Sequence, residues 1–236
     1  MGRRELTEKT SWEDSYSATA YTEDALKLEE EGGRKELTAL RKKVTSLLAD
    51  WDALDQERRT HKRTIGYAHA LVRRRDVQAD QFITQLHNEV LMLCKLDRKA
   101  PLFTRLFPDP LSSVVRLALE SELPVLRELT LKLAEPETPE SLRKAYAKPL
   151  TNVLEQGQQA IHAREEAFAM AGRTSARIVS WKEKANTVFL GIEGALTQIA
   201  AEQKLGPSWV DAFFPMVERK KSKEKSESNA PTDPVT

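Results

Sequence analysis

The sequence predicts an all-α protein, an antiparallel bundle of long amphipathic helices. Apolar residues recur at steps of three and four over 37–96 and again over 146–199. Such steps return to one face of an α-helix, because 3.6 residues complete a turn. Glycine is scarce, at 9 of 236 residues, and charged residues make up 31%, which is typical of helices whose outer faces meet water. The chain is long enough to bury a hydrophobic core.

A mobile or loosely docked arm is predicted for residues 1–34. The segment is polar, with Trp12, Tyr16 and Tyr21 scattered among Ser, Thr and Glu, and only 24–31 has the pattern of a short helix. Gly32 and Gly33 end that helix, since glycine costs about 1 kcal/mol inside a helix. From residue 218 to 236 the chain is basic and polar, which predicts a disordered tail because too little apolar surface is available for burial.

Two helical repeats are predicted, over 35–108 and 138–217, with short proline-started helices connecting them over 109–137. The copies align at a shift of 106 residues, the separation of Gly66 from Gly172, and the shift becomes 107 past these glycines. Leu106-Phe107-Pro108 then matches Phe213-Phe214-Pro215. We interpret the two copies as a duplication whose apolar stripes pack against each other.

Each repeat has two candidate arrangements, which differ in whether its central glycine forms a turn or lies inside a helix. If Gly66 and Gly172 are turns, the repeats are two helical hairpins. If they are not, each repeat is one coiled-coil helix of about 60 residues, roughly 90 Å long. The heptad phase continues through Gly66, which favours the long helix. Helices of that length are uncommon, however, and a loop tolerates the single-residue shift past the glycine. We expect the hairpins, with the long coiled coil as the alternative.

The strongest local signal is a basic stretch over 58–75, which no Asp or Glu interrupts. Such a stretch can bind the phosphates of nucleic acid or an acidic protein surface, with an affinity that falls as salt rises. Tyr67 and His69 could add stacking or a hydrogen bond. The alternative is a solvated face whose arginine stems cover apolar neighbours. The candidate residues for anion or partner binding are Arg58, Arg59, Lys62, Arg63, Arg73, Arg74 and Arg75.

A second candidate surface is an apolar docking patch made of Trp209, Phe213 and Phe214, for which packing in the core is the alternative. Two carboxylate pairs, Asp52 with Asp55 and Asp76 with Asp80, share a helix face with arginines, so surface ion pairs are expected there. His61 lies on the apolar seam beside Arg58, where an anion, a buried polar pair and a metal all stay open.

Catalytic and metal chemistry has little support. The chain has no glycine-rich phosphate loop, and none of its four histidines follows a glutamate by three residues, as a di-iron bundle requires. Cys94 has no motif that pairs it with a histidine. We expect no cofactor, no metal site and no enzymatic activity. An enzyme or small-ligand binder with a pocket in the bundle core is the weakest of the function classes.

We therefore expect a non-enzymatic helical scaffold that binds another protein or itself as a homodimer. The alternative is a nucleic-acid-binding protein that uses the stretch 58–75. The net charge of +1 demands neither nucleic acid nor an anionic membrane. A single cysteine, the lack of an apolar run of about 18 residues and the lack of a secretory signal predict a cytoplasmic protein without a membrane span.

Overall fold

A computed structural model describes residues 5–215, and all regular secondary structure in that range is helical. The all-α class and the bundle of long helices are confirmed. The tail predicted over 218–236 lies outside the described residues. The elements are α1 (Trp12–Glu31), a 3₁₀ turn (Lys35–Leu37), α2 (Thr38–Leu93), α3 (Pro101–Leu106), α4 (Leu111–Val114), α5 (Leu119–Ala134), α6 (Glu140–Glu202) and α7 (Pro207–Asp211).

The expected hairpins are wrong, because Gly66 and Gly172 lie inside α2 and α6. These helices run for 56 and 63 residues without a turn. A Cβ atom built on either glycine meets nothing within 4 Å, so neither residue is there for a close approach. A glycine in a helix costs only about 1 kcal/mol, which the packing of a long apolar stripe outweighs. The alternative of two coiled-coil helices of about 60 residues is the one found.

Replacing Gly66 by alanine tests this assignment. Since Gly66 is helical and the added Cβ meets open space, the variant Gly66→Ala should be more stable by about 1 kcal/mol, the helix propensity difference. Urea unfolding followed by far-UV circular dichroism measures the change. Gly33, whose φ is +108°, is the matched control. Gly33→Ala should lose stability, because an L-residue is strained there. A loss of stability in Gly66→Ala would contradict a continuous α2.

The chain divides into two compact units. Within the described residues, the first unit consists of 5–51 and 180–215 and holds α1, the first part of α2, the last part of α6 and α7. Its core contains a cluster of three tryptophans. Trp12 stacks on Trp51 with ring centroids 5.0 Å apart and meets the edge of Trp181 at 5.2 Å. Both partner indoles donate to backbone carbonyls, Trp51 to Trp12 at 3.3 Å and Trp181 to Leu47 at 3.0 Å.

Helix α1 begins twelve residues earlier than the short helix predicted over 24–31. Ser11 caps it by accepting a hydrogen bond from the backbone N–H of Asp14 at 2.9 Å. Three of the six buried residues of α1 are Ser or Thr, which explains why the sequence shows no apolar pattern over this helix. The hydroxyl of Thr19 donates to the carbonyl of Ser15 at 2.8 Å, one turn earlier, and Thr22 donates to Ala18 at 3.2 Å. These polar groups are therefore satisfied inside the unit.

The segment before α1 is tied to α6 in the first unit. Lys182, which is buried, donates from Nζ to the carbonyls of Thr7 and Thr10 at 3.2 Å and 2.7 Å. Leu6 and Asn186 exchange two hydrogen bonds of 2.9 Å. From residue 5 onward the expected arm is thus a segment with specific backbone and side-chain partners.

The second unit, residues 52–179, holds the remainder of α2, then α3, α4 and α5, and the first part of α6. Leucine dominates its core, in which Ile83, Leu86 and Leu126 are almost completely buried. Phe103 of α3 and Phe107, the residue that follows α3, add their rings to this core, 5.2 Å and 5.1 Å from the ring of His87. This leucine-rich core contrasts with the first unit, which buries three tryptophans and several hydroxyl groups.

Helices α1 and α5 present equivalent positions to the two cores. Their buried residues coincide at a separation of 107, the shift that relates the predicted repeats. The coinciding pairs are Trp12 with Leu119, Ser15 with Glu122, Thr19 with Leu126, Thr22 with Leu129 and Leu26 with Leu133.

The ends of the two long helices are also alike. Leu96 donates to the carbonyl of Leu91, and Leu205 donates to that of Ala200, each closing the last turn of its helix. A proline then starts the next short helix in both copies. These parallels extend the comparison beyond the long helices, while the duplication itself stays a prediction.

Candidate anion-binding surface on helix α2

All seven predicted basic residues lie on α2 within the second unit. Because α2 does not turn at Gly66, they are spread along roughly 25 Å of one helix at 1.5 Å per residue. Six of them are exposed and Arg75 is half-buried. They form a band along the helix and not the tip of a hairpin.

Asp55 holds the first two members of the band. Its buried carboxylate accepts a hydrogen bond from Arg58 Nε at 3.1 Å and forms ion pairs with Arg58 Nη2 at 3.1 Å and with Arg59 Nε at 2.6 Å. One negative charge thus serves two guanidinium groups, and a net positive charge remains. The ion pairs expected at Asp55 are therefore confirmed, at spacings of three and four residues along the helix.

Arg75 is held by neutral groups. Its Nη1 donates to Oε1 of Gln78 at 2.6 Å and to Oε1 of Gln156, on α6, at 2.7 Å. The amides position the guanidinium without cancelling its charge. Arg75 therefore links α2 to α6 in the second unit, and it does not extend into solvent as the other members do.

The outer face of α2, defined here by Arg59, Arg63, Arg73 and Arg74, is a single positive surface. At 100° per residue these four fall within an arc of about 100°. Within residues 5–215, no ion pair or hydrogen bond is found for Arg63, Arg73 or Arg74. Tyr67 lies beside them and is 70% exposed. This face offers guanidinium groups and one aromatic ring to a partner.

A cleft of about 200 Å³ opens between α2 and α6 inside the second unit. His61 Nδ1 and Thr174 Oγ1 lie 3.0 Å apart in it, and Thr174 is only 3% exposed. The sequence places His61 on the seam but cannot supply its partner, 113 positions away. The cleft is lined by Arg58, His61, Lys62 and Ile65 of α2 and by Ala171, Thr174, Ser175 and Ile178 of α6.

Phe213 and Phe214 do not form an exposed docking patch, which corrects the second candidate surface. They are 2% and 7% exposed in the first unit, where Phe214 packs against Phe189 at 6.3 Å. Trp209 is half-buried, with Arg34 4.8 Å above its ring, and its Nε1 donates to Glu29 at 3.3 Å. Phe213 and Phe214 follow helix α7, which begins at Pro207.

Sequence reasoning missed a cluster of three carboxylates in the second unit. Glu122 of α5 is completely buried, and neither of its carboxylate oxygens has a hydrogen-bond partner. Burial, together with the negative charges of Asp80 and Asp76, raises the pKa of Glu122 to about 8. Burial and Asp76 also raise the pKa of Asp80. Among residues 5–215, Asp76 and Asp80 form no ion pair with an arginine, contrary to the expected surface pairs.

No group of three or more His, Cys, Asp or Glu side chains within residues 5–215 is arranged to hold a metal ion. In the same part of the chain, no helix combines the length and the apolar content that crossing a bilayer requires. Comparison with known proteins finds no family model, no curated protein and no solved structure that matches this chain.

Proposed function

We propose that this chain is a non-enzymatic helical scaffold that binds an acidic partner protein through the outer face of α2. The observation that carries the proposal is the set of exposed guanidinium groups of Arg63, Arg73 and Arg74, for which no acidic partner is found within residues 5–215. Charge of one sign along a rigid helix steers an oppositely charged surface and fixes its register. A symmetric homodimer through this face would place like charges opposite each other, so the partner is a different protein.

Nucleic acid is the second candidate partner, and one observation favours it. Tyr67 is 70% exposed beside the arginines, where a nucleic-acid base could stack on its ring. An acidic protein does not require an exposed aromatic ring at that place. The two candidates therefore differ in how strongly binding depends on Tyr67.

The test compares two triple variants of the full chain. In the first, Arg63, Arg73 and Arg74 are changed to Gln. In the control, Lys35, Lys42 and Lys43, which are exposed and lie in the first unit, are changed to Gln, so that the net charge falls equally. Fluorescence anisotropy measures binding of a labelled polyglutamate peptide and of labelled single-stranded and duplex DNA, at low and near-physiological salt.

We expect the arginine variant to lose at least about tenfold in affinity for polyglutamate, with a smaller salt dependence, while the control changes little. Equal losses in both variants would mean that net charge alone drives binding, and would contradict the proposal. Binding of single-stranded DNA but not of polyglutamate, weakened by Tyr67→Ala, would establish the nucleic-acid candidate in its place.

A further inference from the structure

The proposed scaffold function does not involve the residues that line the cleft between α2 and α6. Of the residues within 5–215 that line it, none is acidic, while Arg58 and Lys62 are cationic. No ion pair or hydrogen bond is found within 5–215 for the Lys62 ammonium. The Asp55 carboxylate, which pairs with both Arg58 and Arg59, balances only part of this charge. The net positive charge that remains lines a concave site, where its effect on an anion is larger than on an open helix face.

The polar groups of the cleft are held in position. Asp55 fixes the Arg58 guanidinium through a hydrogen bond from Nε and an ion pair with Nη2, both at 3.1 Å. The Thr174 hydroxyl is buried and bonded to His61 Nδ1 at 3.0 Å. In the tautomer in which Thr174 donates to Nδ1, the ring proton is on Nε2, and the ring keeps a donor for a further acceptor. Groups fixed in this way lose little entropy when they bind a ligand.

The floor of the cleft is apolar. Ile65 of α2 and Ala171 and Ile178 of α6 line it beside the cations. An inorganic anion alone would leave the apolar part of the floor uncovered. The ligand that fits therefore combines an oxyanion with a small apolar group.

The corresponding positions of the second repeat indicate that helix packing does not require His61 and Lys62. At the shift of 106, His61 corresponds to Ala167, and Lys62 corresponds to Phe168. Ala167 is buried, at 1% exposure, and Phe168 is half exposed. Two apolar residues thus serve at the equivalent places of α6, so packing alone does not explain His61 and Lys62 on α2.

We propose that this cleft binds a small phosphate monoester, with Lys62, Arg58 and the His61–Thr174 pair around the phosphate and the apolar group on Ile65 and Ile178. A phosphate monoester carries close to two negative charges at neutral pH and several strong acceptor oxygens, which matches two cations and fixed donors. This inference goes beyond the scaffold function and does not rest on it.

The experiment uses the full chain and phenyl phosphate as the probe, with inorganic phosphate as the comparison ligand, in isothermal titration calorimetry. The cleft variant is Lys62→Gln, and the matched control is Lys42→Gln, an exposed lysine of the same helix in the first unit. Thr174→Val removes the hydroxyl at similar shape, and Thr174→Ser restores it. Circular dichroism confirms that each variant is folded.

We expect phenyl phosphate to bind more tightly than inorganic phosphate. Lys62→Gln should weaken binding about tenfold or more, and Thr174→Val by several-fold with recovery in Thr174→Ser. The Lys42→Gln control should bind as the unaltered chain does. The proposal is overturned if phenyl phosphate does not bind at millimolar concentration, if the two lysine variants weaken it equally, or if both ligands bind alike. The Arg63, Arg73 and Arg74 variant should keep phenyl phosphate binding, which separates this result from that of the scaffold proposal.

Discussion

Replacing Glu122 by glutamine should stabilise the protein at neutral and alkaline pH and have little effect near pH 5. Glu122 is completely buried in the second unit, its oxygens have no hydrogen-bond partner, and Asp76 and Asp80 add repulsion to its charged form. Glutamine has nearly the same shape and cannot ionise. The variant therefore removes the free energy required to keep a buried carboxyl protonated while leaving the packing of α5 in place.

The direction in which stability changes with pH follows from the pKa values of Glu122 in the unfolded and folded states. Glu122 has a pKa near 4.5 in the unfolded chain and about 8 in the folded protein. Between these values the folded state binds more protons than the unfolded state, so stability falls as pH rises from about 4.5 to about 8 and then levels off. Each pKa unit corresponds to about 1.4 kcal/mol, so the full loss is on the order of 4–5 kcal/mol.

Urea unfolding of both proteins at pH 5, 7 and 9 measures this difference. The matched control is Glu120→Gln, two residues earlier on α5, where the carboxylate is partly exposed and paired with Arg164. Hydrogen bonds from the backbone and from Arg164 lower the pKa of Glu120, so this variant should lose a little stability at pH 7 and gain none at pH 9. If the unaltered chain and Glu122→Gln show parallel pH profiles, Glu122 is already ionised in the folded protein and the prediction fails.

The equivalent position of the first unit shows what a neutral group does there. Ser15 of α1, which matches Glu122 at the shift of 107, is also completely buried. Its hydroxyl donates to the carbonyl of Ser11 at 2.8 Å and is therefore satisfied within its own helix. A helix packed at this position thus needs no carboxylate, and we expect Glu122 to reduce the stability of the second unit at neutral pH.

The long helices were predictable because their apolar stripes span many turns, whereas the choice between hairpins and long helices was not. Heptad phase continuing through Gly66 favoured one helix, and the rarity of long helices favoured a turn. The structure shows that the continuous phase was the better guide. An exposed helical glycine lowers stability slightly but does not break a helix whose packing continues on both sides.

Helix α1 and the cleft were not predicted, for one physical reason: the residues that pack against them lie far away in the sequence. The buried face of α1 carries hydroxyl groups that bond within the helix, so its sequence reads as a polar segment. The rings that Trp12 contacts, Trp51 and Trp181, lie on distant parts of the chain. The basic residues were identified from the sequence, but the cleft depends on Thr174 of another helix. The ion pair of Asp55 with Arg58, by contrast, was predictable because the two residues are only three positions apart on one helix.

Replacing Trp12 by alanine should destabilise the protein by about 3–5 kcal/mol, the usual loss for a buried tryptophan. Trp12 is 6% exposed and contacts the rings of Trp51 and Trp181. The loss should concentrate in α1, because the other buried positions of that helix are mostly Ser, Thr and Ala and contribute little apolar area. Trp12 and Leu26 are therefore the main apolar anchors of α1.

Urea unfolding followed by far-UV circular dichroism gives the total loss, and hydrogen exchange of the amides of 12–31 shows where it falls. Tyr16→Ala is the matched control, because Tyr16 also packs on Trp51, at 4.6 Å, but is 40% exposed. Its expected loss is about 1 kcal/mol, since less area leaves water. If amide exchange becomes fast only in α1 of Trp12→Ala, the tryptophan cluster is what packs this helix against the other helices of the first unit. Equal, small losses in both variants would instead assign that role to the hydrogen bonds of Lys182 and Asn186 with the segment before α1.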